Sequence, residues 1–288
     1  MFSGTFTALV TPFKSDETVD FDALTNLIER QIDAGVDGVV PVGTTGESPT
    51  LSHDEHVEVI QCAVQTAAGR IQVIAGSGSN STKEALTLTQ KAIDAGVDGV
   101  LQITPYYNKP SQEGLFRHFS KLADLGSPVV LYNVPGRTSR QIDISTIVRL
   151  SEHPHIVAVK EAGGSVERVS AILEACDITV LSGDDGLAFP MIAVGATGVI
   201  SVASNVAPEQ VCNMVRAAPS GNMADARRLH NQLYPLFRDL FIDTNPIPVK
   251  AAMAMMGLTP EVYRLPLCEL DDLARMQLRT TLKALELI

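Results

Sequence analysis

One eight-residue phrase occurs twice in this chain, as Ile32-Asp-Ala-Gly-Val-Asp-Gly-Val39 and Ile93-Asp-Ala-Gly-Val-Asp-Gly-Val100, with a weaker third copy at Val194-Gly-Ala-Thr-Gly-Val199. Each copy reads as a helix end stopped by glycine, followed by the start of a β-strand. The first two copies lie 61 residues apart, which is two strand–helix units of about 30 residues each. Eight short β-type runs fit this spacing: Gly4–Val10, Gly38–Val42, Ile71–Ala75, Gly99–Thr104, Pro128–Asn133, Ile156–Lys160, Ile178–Ser182 and Gly198–Val202. Most are apolar at successive positions rather than alternately, as parallel strands under a layer of helices must be. Eight units in roughly 220 residues predict an α/β fold, a (β/α)8 TIM barrel, in preference to an open doubly wound sheet.

Helix starts are legible between the strands. Asp20 is placed to cap a helix running to about Ala34, and Ser52 with Glu55 and Ser81 with Glu84 have capping-box spacing. Past Pro219 the strand pattern stops. Met223–Phe241, Pro248–Met256 and Leu270–Leu287 read as helices, and Thr259-Pro260-Glu261 reads as an N-cap with proline at the first helical position. The predicted organisation is a catalytic barrel over residues 1–220 and a C-terminal helical extension over 221–288.

A chain of 288 residues can bury a large core. The longest apolar runs have strand length, and no basic segment precedes an apolar one near the start, so neither a membrane span nor a signal peptide is expected and a cytoplasmic location follows. The net charge of −11 disfavours nucleic acid as a partner. Cys62, Cys176, Cys212 and Cys268 are too scattered for a metal knuckle, and buried free thiols are expected. His53 and His56 do not form a His-Glu-x-x-His motif, and Gly76-Ser-Gly-Ser79 lacks both the third glycine of a dinucleotide fingerprint and the lysine of a P-loop. A nucleotide role is set aside, and a metal hydrolase is a weak competitor.

The chemistry-bearing stretch is Ile156-Val-Ala-Val-Lys160-Glu-Ala-Gly-Gly164. Four apolar residues deliver one lysine to the end of a buried strand. A free lysine titrates near 10.4, so only about one amine in 2,500 is neutral at pH 7. An apolar site disfavours ammonium, and a fall to about 7–8 corresponds to roughly 3–5 kcal/mol. That is how a Schiff-base lysine arises. The competing reading is a rim lysine paired with Glu161.

In a barrel of this kind the loops after the strands gather at one mouth. They carry Gly43-Thr44-Thr45-Gly46-Glu47-Ser48, whose hydroxyls suit a carboxylate; Tyr106, Tyr107 and Tyr132, whose phenols can pass protons; Arg137, whose fork fits a carboxylate; and Gly183-Asp184-Asp185. The paired aspartates oppose a phosphate site there, so a carboxylate is the expected substrate group.

Taken together, Lys160, Gly43-Thr-Thr-Gly-Glu47, Tyr107, Tyr132 and Arg137 resemble, in identity and order, the pyruvate-dependent class I aldolases of the N-acetylneuraminate lyase superfamily, and within it the dihydrodipicolinate synthase family. The likeness runs from Gly4-Thr-Phe-Thr-Ala8 to Asn245-Pro-Ile-Pro-Val-Lys250. It implies condensation of pyruvate with L-aspartate 4-semialdehyde on the way to diaminopimelate and lysine. Lys160 would form the imine, while Thr44, Tyr132 and Tyr107 would relay protons, Tyr107 reaching in from a neighbouring subunit of a homotetramer built as a dimer of dimers. Thr45 would hold the pyruvate carboxylate and Arg137 that of the semialdehyde. Main-chain groups at Gly183 and Val202 would complete the pocket, and no metal or organic cofactor is implied. Ser48, His53, His56, Asn80, Glu84 and Tyr106 match the feedback site of lysine-inhibited members, with Pro49 where that pattern has a small residue. The alternatives are a sugar-acid aldolase of the same superfamily and a non-catalytic amino-acid sensor.

Overall fold

A computed structural model of the chain describes residues 2–288. Its first half alternates β1 (Gly4–Ala8), α1 (Phe21–Asp33), β2 (Gly38–Val40), α2 (His53–Ala67), β3 (Gln72–Gly76), α3 (Thr82–Asp94), β4 (Gly99–Ile103), α4 (Gln112–Ala123) and β5 (Val129–Asn133). A short α5 (Pro135–Thr138) then precedes α6 (Ile144–Ser151), β6 (Ile156–Glu161), α7 (Val166–Ala175), β7 (Thr179–Ser182), α8 (Asp185–Ala193), β8 (Gly198–Ser201) and α9 (Pro208–Ala217). The helices α10 (Met223–Asp239), α11 (Ile247–Met255) and α12 (Asp272–Ala284) complete the chain. The eight strands are parallel, neighbour to neighbour in chain order, and β8 pairs with β1, so the sheet closes into the barrel that the repeat period predicts.

The repeated phrase shows why. Gly35, Gly96 and Gly195 all sit at positive φ, ending α1, α3 and α8 and turning the chain into β2, β4 and β8. Two residues on, Asp37 accepts a hydrogen bond from the Thr5 amide at 2.8 Å and Asp98 one from the Val73 amide at 2.7 Å. Each aspartate thereby satisfies the first free N–H of the preceding strand and sets the register between neighbours. In the third copy Thr197 takes that place and bonds Val180 O and Phe2 O instead.

Several local expectations are corrected. The second strand ends at Val40 rather than Val42, because Pro41 has no N–H to give the ladder and Val42 turns to φ +49°. Ser52 and Glu55 form the full capping box, but the second box is half made. Ser81 caps α3, while the Glu84 carboxylate leaves its own N-terminus for His53 and Ser79. Thr259-Pro260-Glu261 starts no helix. Glu261 is drawn away by both guanidinium nitrogens of Arg275 and by the Tyr263 hydroxyl, and α12 begins only after Asp271, whose side chain accepts from the Ala274 amide. Among the cysteines only Cys212 is buried; Cys62 and Cys176 are half-buried and Cys268 is exposed.

The C-terminal helices close over the strand ends and share the barrel's hydrophobic core through Leu233, Leu236, Phe237, Val249, Met253 and Leu278. Buried Asp239 ties α10 to α12, accepting from Gln277 at 2.8 Å and Thr281 at 2.5 Å while Arg238 pairs with it. Arg264 reaches back to the barrel, bonding Thr50 O and both oxygens of Glu55. No described helix is long and apolar enough to cross a membrane.

Hydrogen bonds from Arg264 hold the Glu55 carboxyl down at about 2. A carboxyl whose folded pKa lies below its unfolded value of about 4.3 stabilises the fold above that value and loses the contribution as pH falls towards 2. Solvent screening of this half-open pair limits the contribution to about 1 kcal/mol. Urea unfolding should show Glu55→Gln less stable than the parent by that amount at pH 6, with at least half of the gap gone at pH 3. An equal gap at both pH values would contradict the assignment.

Candidate active site

Successive side chains of a strand point to opposite faces, and β6 ends on Lys160 followed by Glu161. Glu161 points outward into the helix layer, fully buried, where Asn133 Nδ2 donates to its two oxygens at 2.9 and 3.0 Å, the Gly163 amide at 2.7 Å and Arg168 Nε at 3.0 Å. Lys160 therefore points into the barrel alone. It is 6% exposed, and its amine makes no ion pair or hydrogen bond with any described residue. The rim pairing with Glu161 is not what forms.

Tyr132 lies directly beside Lys160 in the register of β5 and β6, and the amine sits 4.3 Å from the centre of its ring. On the other side Gly183 follows β7, where a Cβ would stand 3.0 Å from Lys160 Cε and 2.8 Å from Ala162 Cβ. Any side chain there would push the lysine out of place. The sequence motif thus reads as a space requirement set by the amine itself.

Lys160 lies in the wall of a cavity of about 380 Å³ together with Thr44, Thr45, Tyr132, Arg137, Gly183 and Val202. Seven of the eight residues expected to react or bind are thereby brought together from β2, β5, β6, β7 and β8. The eighth, Tyr107, is not: it is 91% exposed, held at φ +69°, and lines neither this cavity nor its neighbour. A bulky residue held in the left-handed region and facing solvent is unusual in a lone chain.

The loop after β2 is fixed from several sides. Thr11 Oγ1 donates to Gly46 O at 2.7 Å, and Asn245 Nδ2 donates to Thr45 Oγ1 at 3.0 Å, leaving the threonine proton free for another acceptor. Arg137, on α5, spends one N–H on Asn245 O at 3.0 Å and keeps the rest of its fork at the cavity rim. After β7, Asp184 caps α8, while Asp185 is wholly buried and accepts from Ser201 Oγ at 2.5 Å, Val202 N at 2.9 Å and Ala203 N at 3.0 Å. Burial pushes the Asp185 carboxyl up to about 6 against these hydrogen bonds and also raises Asp184. Asp185 is thus the staple that shapes the turn at Val202.

A second cavity of about 210 Å³ shares Thr44, Tyr132 and Arg137 with the first and extends to Ser48, Pro49 and Tyr106. The remaining residues of the expected lysine site lie at the starts of α2 and α3. His53 Nε2 meets Glu84 Oε1 at 2.9 Å, Ser79 donates to the other Glu84 oxygen, and Asn80 O accepts from Asn108. His56 is buried against Gly76 O, and burial lowers its pKa. The Ser79 hydroxyl and His53 hold the Glu84 carboxyl below its usual range.

Sequence reasoning missed one wall of the larger cavity. Tyr234, Phe237, Arg238 and Phe241 of the α10 region and Asn245 after it come from outside the barrel. Their helical spacing was visible, but it reads equally as core, because nothing local says which neighbour the face will meet.

The sequence matches the Dihydrodipicolinate synthetase family over residues 1–285. It is 52% identical to the 4-hydroxy-tetrahydrodipicolinate synthase of Pelobacter propionicus, with all of both chains covered. It superposes on the dihydrodipicolinate synthase of Acinetobacter baumannii complexed with pyruvate at a TM-score of 0.98, with 43% identity and full coverage of both chains. It likewise superposes on the corresponding synthase of Cyanidioschyzon merolae with lysine bound, at a TM-score of 0.97 and 40% identity, covering 100% and 99% of the two chains.

Removing Arg168 leaves Glu161 charged and buried at the end of β6. Breaking one side of such a pair costs about 3–5 kcal/mol, so Arg168→Met should lose that much stability in urea denaturation. A loss below about 1 kcal/mol would mean that Asn133 and Gly163 N suffice to hold the carboxylate.

Proposed function

Because the chain belongs to the dihydrodipicolinate synthetase family, we propose that it is a cytoplasmic lyase that condenses pyruvate with L-aspartate 4-semialdehyde to 4-hydroxy-tetrahydrodipicolinate, in diaminopimelate and lysine biosynthesis. The observation that carries this reading is the Lys160 amine, enclosed with Tyr132 and two threonines and paired with no acid.

Attack of that amine on the pyruvate ketone and loss of water give an imine. The imine nitrogen withdraws electrons, so a methyl proton leaves and an enamine forms. Its carbon adds to the aldehyde, whose oxygen takes up a proton. The amino group of the semialdehyde portion then attacks the imine carbon, closing the ring and releasing Lys160, so that one water is lost overall. Protons must move at each step, and the groups assigned to move them are Tyr132, whose ring faces the amine, and Thr44, in the wall of the same cavity. The Thr45 hydroxyl, with its proton uncommitted, suits the pyruvate carboxylate, and the free part of the Arg137 fork suits the carboxylate of the semialdehyde. Main-chain groups at Gly183 and Val202 complete the pyruvate pocket. The pyruvate complex of the Acinetobacter relative supports the same substrate here.

On this reading Tyr107 serves a neighbouring copy and completes the partner's proton relay, and its exposure at positive φ supports this. The active unit is then at least a dimer, within a homotetramer. L-Lysine as feedback inhibitor would place its ammonium by Glu84 and His53 and the rest of the molecule towards Ser48, His56, Asn80 and Tyr106. The acidic character of Glu84 and the lysine-bound relative support this. The small cavity lined by Ser48 and Tyr106 as well as Thr44 and Tyr132 supports a coupling between the two sites.

Sodium borohydride added with pyruvate should fix one pyruvate-derived adduct per chain on Lys160, and Lys160→Ala should abolish it. Pyruvate with aspartate semialdehyde should turn over faster than any keto-sugar acid; faster turnover of a sugar acid would move the assignment to another aldolase. Millimolar L-lysine should lower the initial rate, and Glu84→Gln should weaken that inhibition by about tenfold or more, the loss of one charge-assisted contact. Lysine without effect on the parent enzyme would remove the regulatory part.

A further inference from the structure

Lys250, on α11, is almost completely buried, and its amine pairs with the equally buried carboxylate of Glu47, the last residue of the Gly43–Glu47 motif. The amine lies 4.2 Å from the centre of the Phe13 ring, and burial lowers its pKa. The second Glu47 oxygen accepts from the Arg264 amide at 3.4 Å. Neither side chain lines the cavities around Lys160.

Glu47 is itself in the left-handed region, at φ 55° and ψ 35°. So is Val42, a β-branched residue for which φ +49° is a real departure from preference. The four residues between them include both threonines of the pyruvate site. Backbone held this way persists only where the surroundings over-determine it. At the Val42 end that constraint is the barrel itself. At the Glu47 end, the side chain's partners come from the C-terminal region: Lys250 and the Arg264 amide. A buried ion pair adds little stability over an apolar pair of equal volume, but it tolerates fewer arrangements.

We propose that the Lys250–Glu47 pair is a positioning device: it locks the loop carrying Thr44 and Thr45 in the conformation that receives pyruvate, so that the C-terminal helices set the geometry of the barrel's active site. This rests on Lys160 forming an imine with pyruvate. Displacing a binding loop by about 1 Å can cost two orders of magnitude in rate.

The test is borohydride trapping of the full-length protein over a range of pyruvate concentrations, with KM measured for both substrates. The double variant Glu47→Gln with Lys250→Met removes both charges and leaves no isolated ion. It should fold, yet require at least about tenfold more pyruvate for half-maximal trapping, with a KM for the aldehyde changed less than about threefold. A merely structural pair would reduce the amount of active enzyme and leave both half-saturation values unchanged, and that result overturns the proposal. Should the double variant not fold, Glu47→Asp, which keeps both charges and withdraws the carboxylate by one methylene, is read in its place. A pyruvate requirement raised about threefold or more supports the proposal, and an unchanged one overturns it. If the parent protein traps no pyruvate, the imine itself is refuted; if parent and variants trap alike, only the positioning role is.

Discussion

A lysine and a glutamate stand next to each other at the end of β6, and the pleat of the strand sends them to opposite sides of the barrel wall. Everything at the site depends on that separation. Outside, Glu161 is held by Arg168, Asn133 and the Gly163 amide, so it has no use for the lysine. Inside, Lys160 is left with the face of Tyr132, the bare backbone at Gly183 and a cavity. Had the strand slipped by one residue, the carboxylate would line the cavity and the amine would meet Arg168.

The barrel supplies Lys160, Tyr132 and the two threonines of the cavity, and the C-terminal helices supply much of their confinement. Asn245 bonds both Thr45 and Arg137, Lys250 meets Glu47, and Tyr234 to Phe241 form the outer wall of the cavity. Together they hold a loop after β2 that is flanked by two left-handed residues. Division of labour of this kind explains why α10–α12 share the hydrophobic core instead of hanging from a linker.

Much of this was legible in the sequence for physical reasons. Period and glycine placement favoured the (β/α)8 reading over an open doubly wound sheet, because eight strand–helix units in roughly 220 residues fit closure better. Lys160 stood out because an apolar run delivers it to a strand end, but a rim pairing with Glu161 explained it equally well until the polar residues of the neighbouring loops were read with it. What stayed hidden were long-range choices. The Ser81–Glu84 box was a correct local pattern overruled by His53 across the α2–α3 gap. Thr259-Pro260 carried a helix-start signal that the pull of Arg275 on Glu261 overrode. Tyr107 could be placed at a strand end, but its outward direction follows from a left-handed backbone that no spacing rule predicts.

The central claim is that β6 delivers an amine, free of any acid, to a ketone. The most direct measurement is a crystal structure of the protein soaked in pyruvate at neutral pH. Continuous density from Lys160 Nζ to the ketone carbon, with Glu161 still on Arg168, is the predicted result. Pyruvate bound without a covalent link, and Lys160 drawn to a carboxylate, would contradict the account.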